Sequence, residues 1–166
     1  AQQGASLDEI DALAKKVLPN IKTIAVALSA ATNPEVGKPG FTLKEDEIEY
    51  GVGIHSEPGY RREKIKPSKD LVEELVGKLN DEMHLDGNKK YACLVNGMGA
   101  TPLMEQFIFA NDVLNKLEEF NIKPSFMKVG NYMTSLDMAG ISLTLFEIKD
   151  DKWLDYLNFP VETIAW

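Results

Sequence analysis

Apolar residues recur at helical spacing from Leu7 through Ile10, Leu13 and Ala14 to Val17, and Pro19 ends the run. Ser6, with Glu9 three positions on, forms a capping-box pair that places the helix start. Ile21 to Leu28 is apolar and rich in β-branched residues, the pattern of a buried strand. The stretch from Ala31 to Gly40 carries two prolines and two glycines and reads as a loop. From Glu45 to Ile54 the period changes to two. Ile48, Tyr50, Val52 and Ile54 fall on one side, and Glu47, Glu49, Gly51, Gly53 and His55 on the other.

Further along, Ser68 caps a predicted helix to about Leu85, with Leu71, Val72, Leu75, Leu79 and Met83 as its buried stripe. Asp86-Gly87-Asn88 turns the chain into a second apolar strand, Tyr91 to Val95. Asn96 to Ala100 is a tight loop ahead of a long helix, with Thr101 as cap, Pro102 as first helical residue and Phe120 near the end. Pro124 to Val129 and Ile141 to Ile148 read as strands, and a short acidic helix surrounds Trp153. Strands and helices interleave. The expected fold is therefore α/β: a two-layer sandwich, a mixed β-sheet with helices packed on it. The length, 166 residues, suits one domain spanning residues 1–166.

Composition narrows the functions. A formal net charge of -8 opposes binding to nucleic acid or to an anionic membrane surface. No apolar run is long enough to span a bilayer, and no secretion signal is recognisable. Cys93 is the single cysteine and sits in an apolar run, where a buried inert thiol is expected. With no disulfide framework possible, a reducing, cytoplasmic compartment is expected. Two histidines and one cysteine, none at ligand-like spacing, leave no expected metal site. No serine stands in a nucleophile-elbow pattern. The Gly97-Met98-Gly99 loop lacks the lysine of a Walker loop and the full dinucleotide fingerprint, so a packed turn is expected there. His84, beside Asp86, is expected to be solvated or to face a helix end. The charged run Arg61-Arg62-Glu63-Lys64 is expected at the solvated surface, the alternative being contact with a partner or with a charged substrate's entry path.

The chemically informative stretch is Tyr50 to Tyr60. On a regular strand Gly51 and Gly53 would share a face with His55 and clear a trough beside the imidazole. Pro58-Gly59 fits the centre of a type II turn just beyond. The residues leave two readings open: a histidine placed to touch a ligand, or a structural histidine beside a bulge.

The run Glu49-Tyr50-Gly51-Val52-Gly53-Ile54-His55-Ser56-Glu57-Pro58-Gly59 resembles the "GxGIHGEPG" segment of dihydroxyacetone kinases. Leu94 to Pro102 is similar to that family's "VNGLGATP" segment, and Val26 to Ser29 with Gly37-Lys38-Pro39 resembles the stretch before the histidine. Gly130 to Gly140, Ser142 to Leu145 and the tail from Pro160 to Trp166 extend the likeness over nearly the whole chain, in order. The resemblance implies the carboxyl-terminal lobe of a substrate-binding (K-type) subunit, with His55 adding to the ketone carbon of dihydroxyacetone to hold it as a hemiaminal. It implies Gly53 as a substrate-binding position. A neutral imidazole is nucleophilic near neutral pH, which suits the residue type to that task.

The same resemblance implies partners. An amino-terminal lobe would supply the glycine-rich loop, a second histidine and an aspartate for proton transfer, and Ala1 would begin where that lobe ends. The intact subunit would be a homodimer. No cofactor is expected on this chain. The phosphoryl donor, ADP or ATP with Mg, would be carried by a nucleotide-binding L-type subunit linked to a phosphotransferase system, or by a fused domain. Ser56 departs from the family's usual glycine and puts fine selectivity in doubt. Some relatives keep the histidine as dihydroxyacetone-sensing co-activators without kinase activity, the alternative reading.

Overall fold

The computed structural model describes residues 3–55, 57–164 and 166. Its elements run α1 (Leu7–Val17), β1 (Ile21–Ala27), β2 (Thr32–Asn33), β3 (Lys38–Pro39), β4 (Glu47–Tyr50), β5 (Arg61–Lys64) and α2 (Ser68–Met83). Then follow β6 (Lys90–Gly97), α3 (Leu103–Glu118), β7 (Phe126–Gly130), β8 (Gly140–Ile148) and α4 (Asp151–Asn158).

Six strands form one mixed sheet in the order β5-β4-β1-β8-β6-β7. Only β6 and β7 pair in parallel; the other neighbours are antiparallel. The long helix α3 connects the parallel pair, as a crossover must. The α/β sandwich expected from the interleaved pattern is the observed architecture.

The two faces of the sheet differ in chemistry because side chains alternate along each strand. On one face Val26, Tyr91, Cys93, Val95, Leu143 and Leu145 meet Leu75, Val76 and Leu79 of α2 and Phe109, Val113 and Leu117 of α3. That layer is the main core. Cys93 lies inside it, and burial pushes its thiol up to about 12, so it is held as an inert neutral group. On the opposite face, Trp153 of α4 stacks on Phe146 beside Ala92 and Ile148. The rest of that face carries Thr23, Ala25, Leu94, Asn96, Ser142 and Thr144 and borders an open cavity of about 420 Å³.

Helix α1 begins at the expected capping box: the Glu9 carboxylate accepts from the Ser6 N–H, and Ser6 Oγ accepts from the Glu9 N–H. Two caps differ from expectation. Pro67 precedes α2 as its N-cap, which makes Ser68 the first helical residue. Pro102 likewise caps α3, because Thr101 Oγ1 is turned to the backbone of Gly140, donating to its carbonyl and accepting from its N–H. The proline- and glycine-rich stretch is not wholly irregular, since β2 and β3 pair across its turn. His84 is exposed and ends α2 in the left-handed conformation, with φ of 51°.

Gly77 lies inside α2 with nothing within 4 Å of where a Cβ would sit. Gly77→Ala is therefore expected to raise stability by about 0.5–1 kcal/mol, through lower unfolded-state entropy. Urea denaturation of the variant checks this.

Candidate active site

The strand pattern that led to His55 stops early. β4 ends at Tyr50, and Gly51 turns the chain out of the sheet with φ of +77°. A Cβ there would lie 2.6 Å from the Tyr60 ring, so both the conformation and the space call for glycine. Residues 51–55 and 57–59 therefore lie outside the strands, and His55 does not share a strand face with Gly51 and Gly53. Gly59 has no positive φ, so Pro58-Gly59 is not the type II turn expected.

The loop is anchored at its base and along its length. The Gly51 N–H donates to the Ala25 carbonyl at 2.7 Å, and the Tyr60 N–H donates to the Tyr50 carbonyl at 2.9 Å. Glu49, only 2 % exposed, accepts from the Gly59 N–H at 2.8 Å and from Arg62 Nε at 3.0 Å. The charged run Arg61–Lys64 is mostly exposed, as expected of a solvated surface, and it also forms an edge strand from which Arg62 pairs with the buried Glu49 carboxylate. Just before His55, Ser135 Oγ donates to the Ile54 carbonyl. Ser135 belongs to the stretch Gly130 to Gly140, part of the likeness noted above. It acts here as a brace, with Asp137 Oδ1 accepting from the Thr32 N–H at 2.6 Å.

His55 itself is open to solvent, with 79 % of its side chain exposed. Its Nδ1 lies 2.9 Å from Glu57 Oε1, while its backbone N–H donates to Glu57 Oε2 at 3.0 Å. Glu57 thus grips the histidine twice. A hydrogen bond from its own backbone N–H, followed by the one from the His55 ring, holds the Glu57 carboxyl below the usual range. Gly53 lies directly under this carboxylate: a Cβ on it would fall 2.0 Å from Glu57 Oε2. The wall of the open cavity includes Gly51, Val52, Gly53 and Ile54, the residues that lead up to His55 in the chain. Ser56, where the chain departs from the related pattern, lies outside the described residues.

The Gly97-Met98-Gly99 segment, expected as a packed turn, instead runs on from β6: Gly97 ends the strand, the Met98 N–H donates to the Gly140 carbonyl at 3.0 Å, and Gly99 bridges Met138. Its Met98 is buried, and the Met98 carbonyl accepts from the Ser135 N–H at 2.7 Å. Asn96 reinforces it, accepting from the Tyr132 and Met133 N–H groups at 2.8 Å each. Among the described residues no group of acidic, histidine or cysteine side chains is placed to hold a metal ion. No helix among them is long and apolar enough to cross a membrane.

Residues 1–165 match the Dak1 domain family. The chain belongs to that family. It is 67% identical over its full length to the dihydroxyacetone-binding subunit DhaK of a PTS-dependent dihydroxyacetone kinase from Lactococcus lactis, and covers 50% of it. It is 50% identical to the DhaKLM operon coactivator DhaQ of the same organism, again over 100% of this chain and 51% of the other. A solved structure of a dihydroxyacetone kinase operon co-activator superposes with a TM-score of 0.89 at 50% identity, covering 96% of this chain and 50% of that one. The chain thus spans about half the length of the curated relatives it matches. Within this Dak1 chain, the histidine of the expected segment is exposed and held by a carboxylate. Glu57, Glu49 and Arg62 are the side chains that hold this loop, a role pattern reading did not give them. Only Glu57 left a usable signal, its place two residues after the histidine.

Proposed function

We propose that this chain is the carboxyl-terminal lobe of a dihydroxyacetone-binding kinase subunit, and that His55 captures the substrate covalently. The ring nitrogen adds to the ketone carbon, giving a hemiaminal that presents a terminal hydroxyl for phosphorylation to dihydroxyacetone phosphate. The observation that carries this reading is the exposed His55 imidazole, clamped through Nδ1 by Glu57 at 2.9 Å and so presenting its other nitrogen outward. The 67% identity to a dihydroxyacetone-binding subunit supports the choice of substrate. Gly53 would contribute to the substrate side of the loop, which forms part of the cavity wall. A covalent bond also explains selectivity, since glycerol offers similar hydroxyls but no carbonyl.

In this reading an amino-terminal lobe supplies the acid–base groups, and a nucleotide-carrying partner subunit holds the ADP or ATP with Mg that delivers the phosphoryl group. No cofactor resides on this chain, the intact subunit is a homodimer, and it works in the cytoplasm. One specific observation favours a second reading. The co-activator DhaQ is 50% identical to this chain, so a dihydroxyacetone sensor without kinase activity fits the same site.

Carbon NMR with dihydroxyacetone labelled at the carbonyl tests the capture step. A tetrahedral-carbon signal is expected with the native protein together with the amino-terminal half of the subunit, and its loss in His55→Ala. A folded assembly that gives no such signal overturns the covalent reading. Phosphorylation of dihydroxyacetone in the presence of the nucleotide-carrying partner then separates kinase from sensor.

A further inference from the structure

We infer that Glu57 is the positioning residue of this site: it holds His55 as the Nδ1–H tautomer, leaves Nε2 as the nucleophile, and faces the positive charge that develops on the ring. The inference rests on the covalent-capture reading for its chemical purpose, but its geometric part stands independently.

Four observations converge on it. Glu57 Oε1 is 2.9 Å from His55 Nδ1, and an ionised carboxylate can only accept, so the proton of this hydrogen bond belongs to Nδ1. Glu57 Oε2 takes the backbone N–H of the same histidine at 3.0 Å, which fixes the carboxylate relative to both main chain and ring. The main chain clears space for it, since a Cβ at Gly53 would fall 2.0 Å from Oε2 and push the carboxylate out of this position. The Gly53 N–H in turn donates to the Glu57 carbonyl at 3.2 Å, so the turn closes on itself around the carboxylate. An exposed histidine without such a partner would exchange freely between tautomers and ring orientations.

The Nε2 lone pair forms a bond to the ketone carbon, the carbonyl π bond breaks, and its electron pair moves to oxygen. That oxygen takes one proton from solvent. Nδ1 keeps its proton, so the ring becomes an imidazolium ion paired with the Glu57 carboxylate. Glu57 touches neither the ketone nor the bond being made, and acts only through His55. The ordering resembles any carboxylate–histidine pair in which the acid fixes the tautomer and the charge of its neighbour.

The test reads the tautomer without substrate, by nitrogen NMR of the uniformly labelled 166-residue chain. The chain contains only two histidines, so His55→Ala assigns the signals. In the native protein His55 is expected to show a protonated Nδ1 and an unprotonated Nε2. In Glu57→Ala the Nε2–H form is expected to predominate, as in free imidazole side chains. Gly53→Ala, which keeps Glu57 but displaces its carboxylate, is expected to give the same change. With the amino-terminal half added, Glu57→Ala is expected to lower hemiaminal formation by about ten- to a hundred-fold, the usual effect of removing a carboxylate behind a working histidine. A native His55 protonated at Nε2, or a tautomer unchanged in Glu57→Ala, overturns the inference even where an adduct forms. The expected tautomers with no adduct in the native assembly leave the positioning role standing and sink the covalent-capture reading instead.

Discussion

Arg62→Met is expected to lower the stability of the folded chain by about 1–3 kcal/mol, the cost of removing donors from the buried Glu49 carboxylate, held down because the Arg62 side chain is itself 47 % exposed. Glu49 sits on β4 with its side chain almost wholly buried, and Arg62 on the neighbouring edge strand reaches it through Nε and a terminal nitrogen, each at 3.0 Å. Methionine keeps much of the aliphatic stem but removes the charge and its N–H donors. The carboxylate would then retain a single donor, the Gly59 N–H at 2.8 Å. Urea denaturation measures the loss. The double variant Glu49→Leu with Arg62→Met should recover part of it, because no charge is then left buried. A loss within about 0.5 kcal/mol for the single variant would show that strand pairing alone carries β5. Since Glu49 also anchors Gly59, the single variant should loosen the far end of the His55 loop and reduce dihydroxyacetone capture alongside stability.

The second large effect is expected at Gly99. Its φ of +142° lies where side chains are strained, and a Cβ would meet the Leu136 carbonyl oxygen at 2.1 Å. That oxygen is backbone, so it cannot swing aside as a flexible side-chain tip would. Gly99→Ala is therefore expected to cost about 2–5 kcal/mol, combining a strained dihedral with a forced main-chain displacement. The damage reaches the site through hydrogen bonds. The Ala100 N–H donates to the Met138 carbonyl at 3.0 Å, and the Ser135 N–H to the Met98 carbonyl at 2.7 Å. Ser135 then holds the Ile54 carbonyl beside His55. Displacing the 131–140 stretch should release that brace, so the carbon NMR signal of the adduct should fall in any Gly99→Ala protein that still folds. Thermal unfolding checks the stability part. A melting temperature equal to the parent's would mean the segment after β6 relaxes without strain.

The two variants also show where pattern reading stopped. The helical spacing in α2 and the apolar runs of β1, β6 and β8 were legible because each buries apolar side chains repeatedly, and burial leaves a periodic trace; α1 was legible from its spacing and its capping box, although none of its residues is buried. β5 was not legible: Arg61-Arg62-Glu63-Lys64 has no apolar member, and an edge strand with one charged partner underneath needs none. The period-two pattern through Ile54 misled for a related reason. Alternation continued past Tyr50, yet the ability of Gly51 to adopt a positive φ allowed the chain to leave the sheet there. A periodic pattern reports which residues prefer which side. It does not report where hydrogen bonding to a neighbouring strand ends.

The amino-acid sequence by itself determined the α/β class, the buried Cys93, the capping box at Ser6 and the stretch containing His55, because each depends on neighbours within a few positions. It also carried the family likeness, which lies in the order and identity of local segments. The tertiary structure decided the order of the strands, the burial of Glu49 under Arg62, and the bracing of Ile54 by a serine 81 residues away in the chain. It alone showed that the space at Gly53 is occupied by the Glu57 carboxylate. The physical reason is common to all of these. A contact between distant segments depends on how loops close and sheets pair, and a single side chain meeting a single partner leaves no periodic trace.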